Sequence, residues 1–437
     1  MTRPMKDSGI EWIGEIPKEW GIRKIKYCAD IYTGNSISDN EKDNYTNPDN
    51  AIPYIATKDI NVETNLIDYD NGLYIPHESN FKIAPENSIL LCIEGGSAGK
   101  KIAYTNQKVC FVNKLCCFET FNCNSKLLYY ICQSDEFLTS FYLQISGLIG
   151  GVSQSAIKNI SVVIPPKPEQ SEIVSYLDKK CGHIDAILKK TRGSIEEYKQ
   201  LKQSVITQAV TKGIRPNRPM KDSGIEWIGE IPEGWKILKG KHCLTYVEKS
   251  VQESDKVITC FRDGEVTLRC NRREDGFTIS DKEIGYQGID VGDLIVHGMD
   301  GFAGAIGISD SRGKASPVLN VLDTKQLKKY MMYYLRSMAY SGVFLALATG
   351  IRIRTCDTNW NKLKELLYTI PPKPEQSEIV SYLDKKCSVI DNLIQKKEQL
   401  VEELETYKKS LIYEYVTGKK TVITREQTVI TSKSEVI

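Results

Sequence analysis

The stretch that decides the fold is Ile164–Cys181, IPPKPEQSEIVSYLDKKC, which returns letter for letter at Ile370–Cys387. Its prolines followed by an acid mark a helix start near residue 168. A proline in the first turn forfeits no helical hydrogen bond, and an acid there suits the positive end of the helix dipole. Counting on from Leu177 in alternating steps of four and three meets Cys181, Ile184, Leu188, Thr191, Ile195, Tyr198, Lys202, Val205 and Ala209. From Leu383 the count meets Cys387, Ile390, Ile394, Lys397, Val401, Leu404, Lys408, Leu411 and Tyr415. This spacing predicts two long helices with matching seams, each of about 43 residues or roughly 64 Å. A bare seam is unstable in water, so the helices are expected to pack together, antiparallel if the halves are related by a pseudo-twofold axis. Off the seam lie Ile173, Val174, Ile187, Leu201 and Ile206 on the first helix and Ile379, Val380, Leu393 and Leu400 on the second. These are candidate positions for a helical partner.

A second block repeats upstream. Arg3–Pro17, RPMKDSGIEWIGEIP, recurs at Arg218–Pro232, with Trp20 matched by Trp235. It reads as a short strand and turn whose tryptophans anchor a core. The order is therefore short block, variable region, helix block, twice over. The expected boundaries are 1–163, 164–217, 218–369 and 370–420, with a tail at 421–437. The variable regions, 21–163 and 236–369, share little beyond scattered glycines and apolar runs. Both read as mixed α/β. Strands are expected at Ala51–Ile55, Ser88–Ile93, Val109–Val112 and Ser161–Ile164, and at Lys256–Cys260, Asp293–His297, Val318–Leu322 and Leu366–Ile370. Amphipathic helices are expected near Ser125–Leu143 and Thr324–Leu347, and a glycine turn follows a strand at Gly95–Lys100 and again at Gly301–Ala305. Identical blocks suggest one partner met twice, and divergent middles suggest two different ligands. A recent duplication with later replacement of the middles explains the identity without any partner.

Composition excludes several classes. A chain of 437 residues is too long for one small domain, and 41% apolar with 26% charged residues argues against global disorder. No run approaches the roughly 18 apolar residues of a membrane span, and Met1–Ile16 carries Lys6, Asp7 and Glu11 where a signal peptide has its apolar block. A soluble cytoplasmic protein is the expectation. The 13 cysteines are odd in number, and Cys110, Cys116, Cys117 and Cys123 lack CxxC spacing, so buried reduced thiols are expected and no metal site. Glu94–Lys101 fails as a phosphate loop, because position 94 is Glu and position 101 is Lys. No GxSxG, HExxH or dinucleotide loop is present, nor an Asn-Pro-Pro-aromatic or Asp-Pro-Pro-Tyr motif. No catalytic residue is therefore assigned.

The GxIEWIGEIPxxW pattern at Gly9–Trp20 and Gly224–Trp235, with IPPKPEQxxIVxYLD at Ile164–Asp178 and Ile370–Asp384, resembles the specificity subunit of type I restriction-modification systems. The glycine loops at Gly147–Gln154 and Gly350–Arg354 fit the same pattern, and the resemblance covers essentially the whole chain. It implies an α+β fold: two α/β target-recognition domains separated by two long antiparallel coiled-coil helices, in a pseudo-twofold internal repeat. It implies that each variable domain reads one half of a bipartite site in double-stranded DNA. The helices would set the half-site spacing and dock two copies of a DNA methyltransferase (modification) subunit, with restriction/translocase subunits joining them. Such a chain is non-catalytic and holds no cofactor, S-adenosylmethionine, ATP and magnesium belonging to its partners. Alternatives are a targeting subunit of another restriction-modification type, a coiled-coil adaptor whose variable domains bind proteins, and an unrecognised enzyme.

Charge bears on this unevenly. Net charge is only +2; region 21–163 holds 12 Lys/Arg against 15 Asp/Glu, and region 236–369 holds 20 against 16. In the first region the candidate DNA contacts are Lys58 after a strand, Lys100 and Lys101 ending a glycine turn, and Ser153, Gln154 and Lys158 beside the glycine loop. In the second they are Arg269, Asn271, Arg272 and Arg273, with Arg352 and Arg354. Arginine pairs with guanine edges and Asn or Gln with adenine, although most such contacts in complexes go to phosphates.

Overall fold

The computed structural model describes residues 3–146, 150–272, 284–347 and 358–422. It resolves into two units, one of residues 1–191 and 399–437 and the other of residues 192–398. The expected helix segments 164–217 and 370–420 are each divided between the two units. Each unit takes the beginning of one long helix and the end of the other, because a lone helix would leave its seam in water.

The long helices run unbroken over Lys167–Lys212 and Lys373–Val416. In the first unit the Tyr176 ring lies 4.4 Å from that of Tyr415, and Lys408 Nζ donates to Asp185 Oδ1 at 2.6 Å. In the second, Lys202 Nζ donates to Asp391 at 2.7 Å and the Lys397 ammonium sits 5.7 Å from the Tyr198 ring. Within each unit the partner number falls as the other rises, so the pairing is antiparallel. Leu177, Cys181, Ile184, Leu188, Cys387, Ile390, Leu411 and Tyr415 are buried, as the seam predicts.

The off-seam positions divide. Ile173, Ile206, Ile379 and Val380 are buried in their own unit's core and Val174 packs partly against it, so these five are withdrawn as partner positions. Near its ends each helix is flanked by the domain as well as by the other helix, and apolar residues all round are covered. Ile187, Leu201, Leu393 and Leu400 are 36–48% exposed and remain available.

The two units share a topology that their variable regions do not display in sequence. Each opens with a hairpin, Met5–Asp7 against Glu15–Pro17 and Met220–Asp222 against Glu230–Pro232. Each then pairs Gly21–Lys24 with Ser161–Ile164, or Lys236–Lys239 with Leu367–Ile370, closing the domain just before the long helix. Each carries a four-stranded antiparallel sheet in the same order. In the first unit it runs Ala29–Thr33, Leu115–Thr120, Ile89–Cys92, Ile102–Tyr104, and in the second Thr245–Tyr246, Leu319–Asp323, Leu294–His297, Ile306–Ile308. The central strand is buried on both faces. Ile89 and Leu91 point into the helix-side core, and Leu90 and Cys92 into a second core, as a period of two requires. Leu294 and Val296 against Ile295 do the same in the second unit.

The next layer differs. The first unit has a four-stranded sheet, Tyr74–Pro76, Ala51–Ile55, Val109–Phe111, Ile83–Ala84; the second has two pairs, Ile258–Cys260 with Val266–Leu268 and Gln287–Ile289 with Gly313–Ala315. The helix expected at 125–143 is two, Ser125–Gln133 and Asp135–Tyr142, because Ser134 turns extended and its hydroxyl caps the second at Phe137 N. That expected at 324–347 splits into Lys328–Tyr340 and Val343–Ala346 at Gly342, which has φ +74°.

The repeated blocks form the socket that seats each domain. Arg3 makes two hydrogen bonds to Glu169 and lies over the Trp20 ring, whose Nε1 donates to Glu169 Oε2 at 2.8 Å. Arg218 repeats the pairing with Glu375 over Trp235. Gln170 accepts from Asn124 N and donates to Pro165 O; Gln376 accepts from Leu327 N and donates to Pro371 O. Tyr130 and Tyr333 hydroxyls donate to Asp178 and Asp384 at 2.6 and 2.8 Å. Trp20 and Trp235 are the buried anchors, whereas Trp12 is 37% exposed and is not one.

Candidate nucleic-acid interface

In the first unit the strand Ala51–Ile55 leads into a short 3-10 turn, Thr57–Asp59, that carries Lys58 outward. The Lys58 side chain is 71% exposed and only 3.9 Å from Asp59. Asp59 is itself fastened by Ala56 N and Asn71 Nδ2, each at 2.9 Å. Lys101 Nζ donates to Thr57 O at 2.6 Å, which ties the glycine turn to this corner and makes Lys101 a structural lysine. Lys100 beside it is exposed. Gly95 N donates to Gly150 O, so the returning loop lies on the same turn. Ser153 caps the helix Gln154–Lys158 through Ala156 N, and Gln154 Nε2 donates to Thr33 Oγ1 at 3.0 Å. Lys58, Lys100, Lys101, Ser153 and Gln154 thus gather around one glycine turn, and Lys158 sits half-buried at the far end of the capped helix.

The second unit builds the corresponding place differently. A groove of about 790 Å3 is lined by Phe261, Arg262, Arg269, Arg272, Tyr286, His297 and Asp300 among others. Of the four candidates near residue 270, Arg272 is engaged: it pairs with Asp263 at 2.7 Å and Glu265 at 3.1 Å, and its guanidinium lies 4.2 Å from the Phe261 ring. Those two carboxylates hold the guanidinium at the wall of the groove. Asn271 Nδ2 donates to Thr267 Oγ1 at 2.9 Å, and Arg269 Nε lies 3.4 Å from Thr259 Oγ1. Arg273, Arg352 and Arg354 lie outside the described residues, as do residues 147–149 of the first glycine loop and the whole of the second, Gly350–Arg354.

Sequence reasoning missed Arg262 and His297. Arg262 Nη2 donates to Asp300 Oδ1 at 2.8 Å, yet its side chain stays 60% exposed. Burial pushes the His297 imidazole below its ordinary value against the pull of Asp300. Its Nδ1 accepts from Met299 N and Asp300 N, a turn-forming role. The spacing Lys58-Asp59 and Arg262-Asp263 was a usable sign, visible only once the two middles are aligned by their strands.

The helix caps also correspond. Asn359 caps Trp360–Leu363 where Ser153 caps Gln154–Lys158, and Trp360 stacks on Tyr246 where Gln154 reaches Thr33. Among the described residues no cluster of His, Cys, Asp and Glu could hold a metal, and no helix is long and apolar enough to cross a membrane.

Residues 17–197 match the family model described as Type I restriction modification DNA specificity domain. The chain is 25% identical over 236 residues to the type I restriction enzyme MjaVIII specificity subunit of Methanocaldococcus jannaschii, covering 52% of this chain and 50% of that protein. It spans about half the length of that relative. Over 403 residues it is 21% identical to the type I restriction enzyme StySPI specificity subunit of Salmonella potsdam, covering 87% of this chain and 84% of that one. In fold it is similar, with a TM-score of 0.64 at 13% identity, to a chain from a solved structure concerned with complex assembly and conformational transition of the type I R-M system, over 93% of this chain and 99% of that one.

Proposed function

We infer that this chain belongs to the type I restriction-modification specificity-subunit family and is the DNA-recognition subunit of a restriction-modification complex. Each unit reads one half of a bipartite duplex site, and the long helices set the spacing between half-sites. The observation that carries the reading is a constant socket under unlike surfaces. The same residues seat each domain, Glu169, Gln170 and Asp178 in one and Glu375, Gln376 and Asp384 in the other. The same corner then presents Lys58 and Gln154 in one unit and Arg262 and Trp360 in the other.

The socket contacts account for the identity of the buried block positions within the chain itself. They leave Glu172, Ser175, Lys179 and Lys180, identical to Glu378, Ser381, Lys385 and Lys386, exposed in both units. Identity at exposed positions supports a partner met twice, taken here as two copies of the modification subunit, with Ile187, Leu201, Leu393 and Leu400 adding apolar surface. Restriction/translocase subunits would complete the complex. Methyl transfer and cleavage, with S-adenosylmethionine, ATP and magnesium, fall to those partners in the cytoplasm, and this chain contributes no catalytic group.

Domain exchange tests the reading. Replacing 236–369 by a foreign counterpart, with junctions at Trp235 and Ile370, should change one methylated half-site and leave the other intact. If mapping of methylated bases shows both half-sites changed together, modular recognition is wrong.

A further inference from the structure

We propose that each unit carries a DNA-backbone phosphate contact at one equivalent corner, made by Lys58 in the first unit and by Arg262 in the second; the assignment rests on the DNA-recognition reading above. The equivalence comes from strand pairing. Tyr54 lies opposite Cys110 in a parallel pair, and Val257 bridges Lys314 in parallel at the matching place. Lys58 follows Tyr54 by four residues, Arg262 follows Val257 by five, and an aspartate comes next in both, Asp59 and Asp263.

Each turn is pinned to its unit's glycine turn. In the first unit Lys101 holds Thr57 O, and Lys101 is the residue whose carbonyl accepts from Cys92 N at the end of the central strand. In the second unit, where His297 N donates to Ala305 O at the same place, the tie is Arg262 to Asp300. Gly304, at φ +96°, brings the turn so close that an added Cβ would lie 3.0 Å from Arg262 O. The backbone of both corners is therefore fixed while the cationic tips remain in water.

A fixed base with an exposed cation suits phosphate. Asp59 already accepts two hydrogen bonds, so Lys58 is not needed to satisfy it. The bond to Asp300 uses one of the five N–H donors of Arg262, so the tie can stand while the remaining donors of the exposed guanidinium meet a phosphate. Exposed Lys100 in the first unit and Arg269 along the groove in the second add positive charge nearby. A corner that differs in side chain yet keeps its charge positions the domain without reading sequence.

The test uses the full chain with its modification subunit, and fluorescence anisotropy on cognate and scrambled duplexes across a salt series. Lys58→Ala and Arg262→Ala should each weaken both duplexes alike, by roughly 3-fold, and reduce the slope of log affinity against log salt by about 0.9 per lost contact. The double variant should lose about twice that slope. Lys58→Arg and Arg262→Lys, which keep the charge, should restore both readouts and so exclude misfolding as the cause. Unchanged slopes in the alanine variants overturn the corner while leaving DNA recognition standing. A loss confined to the cognate duplex also overturns it, by making the residue a base reader. Failure of the unmutated complex to prefer its cognate duplex overturns the recognition reading itself.

Discussion

Substituting each buried tryptophan by phenylalanine exposes a difference between two sockets of the same sequence. Trp20 and Trp235 are 0% and 1% exposed, each at the end of an identical block and each under an arginine. Trp20 Nε1 donates to Glu169 at 2.8 Å, whereas Trp235 Nε1 finds no acceptor among the described residues. The loss of ring volume is common to both and costs about 1–2 kcal/mol. Trp20→Phe also deletes a hydrogen bond to a carboxylate, a further loss of roughly 1.5–3 kcal/mol. Trp235→Phe instead removes a buried, unpaired donor, whose desolvation penalty of about 1–3 kcal/mol offsets the lost volume. The first variant should therefore be the worse by at least about 2 kcal/mol, close to 30-fold in the opening equilibrium. Hydrogen exchange resolved by peptide reads each hairpin separately, which matters because a chain of two units need not unfold in one step. An equal or larger loss for Trp235→Phe would refute the asymmetry.

Three other outcomes follow from particular contacts. Arg312 holds the Asp255 carboxyl, and Lys249 with Arg312 the Asp290 carboxyl, below the ordinary carboxylate range. A depressed carboxylate contributes stability that is complete above its unfolded value and is lost as the pH falls through the lower folded value. The second unit should thus weaken on acidification below about pH 4, and Arg312→Ala should flatten that limb in urea titrations; an unaltered limb counts against the network. Among the described cysteines Cys270 is exposed, while burial pushes Cys110 and Cys243 up to about 12 and Cys117 up to about 11. Native alkylation followed by mass spectrometry should mark Cys270 first among the described cysteines, and early marking of Cys117 would contradict the packing. Adding seven residues to both long helices, between Thr191 and Arg192 and between Glu398 and Gln399, keeps the seam and lengthens each by about 10 Å. The methylated half-sites should then move apart by about three base pairs, and an active variant with unchanged spacing would sink the spacer role.

Much of the candidate interface was legible as residue type but not as role. Lys58 and Lys100 were named from their places after a strand and a glycine turn, and both are exposed. Lys101 occupies the same run but donates to a backbone carbonyl, and Arg272 is held by two acids. Nothing in a linear pattern separates a cation that faces solvent from one that closes a turn, because the acceptors, Thr57 O and Asp263, are brought up by folding. Arg262 went unnoticed for the converse reason: its counterpart Lys58 lies in a sequence that does not resemble its own.

The sequence by itself determined the helices, their seams and the duplicated order, since these rest on short-range periodicity and exact recurrence. Leu177, Cys181, Ile184 and Leu188 are buried at the spacing that names them. Only the tertiary structure decided which off-seam residues are covered. Ile173 and Ile187 look alike in sequence, yet one lies under the domain and the other is 46% exposed. It also decided that two dissimilar middles share one sheet order. The physical reason is that a sheet is set by pairings far apart in the chain and tolerates any apolar residue of suitable size at its buried positions, so topology persists where letters do not.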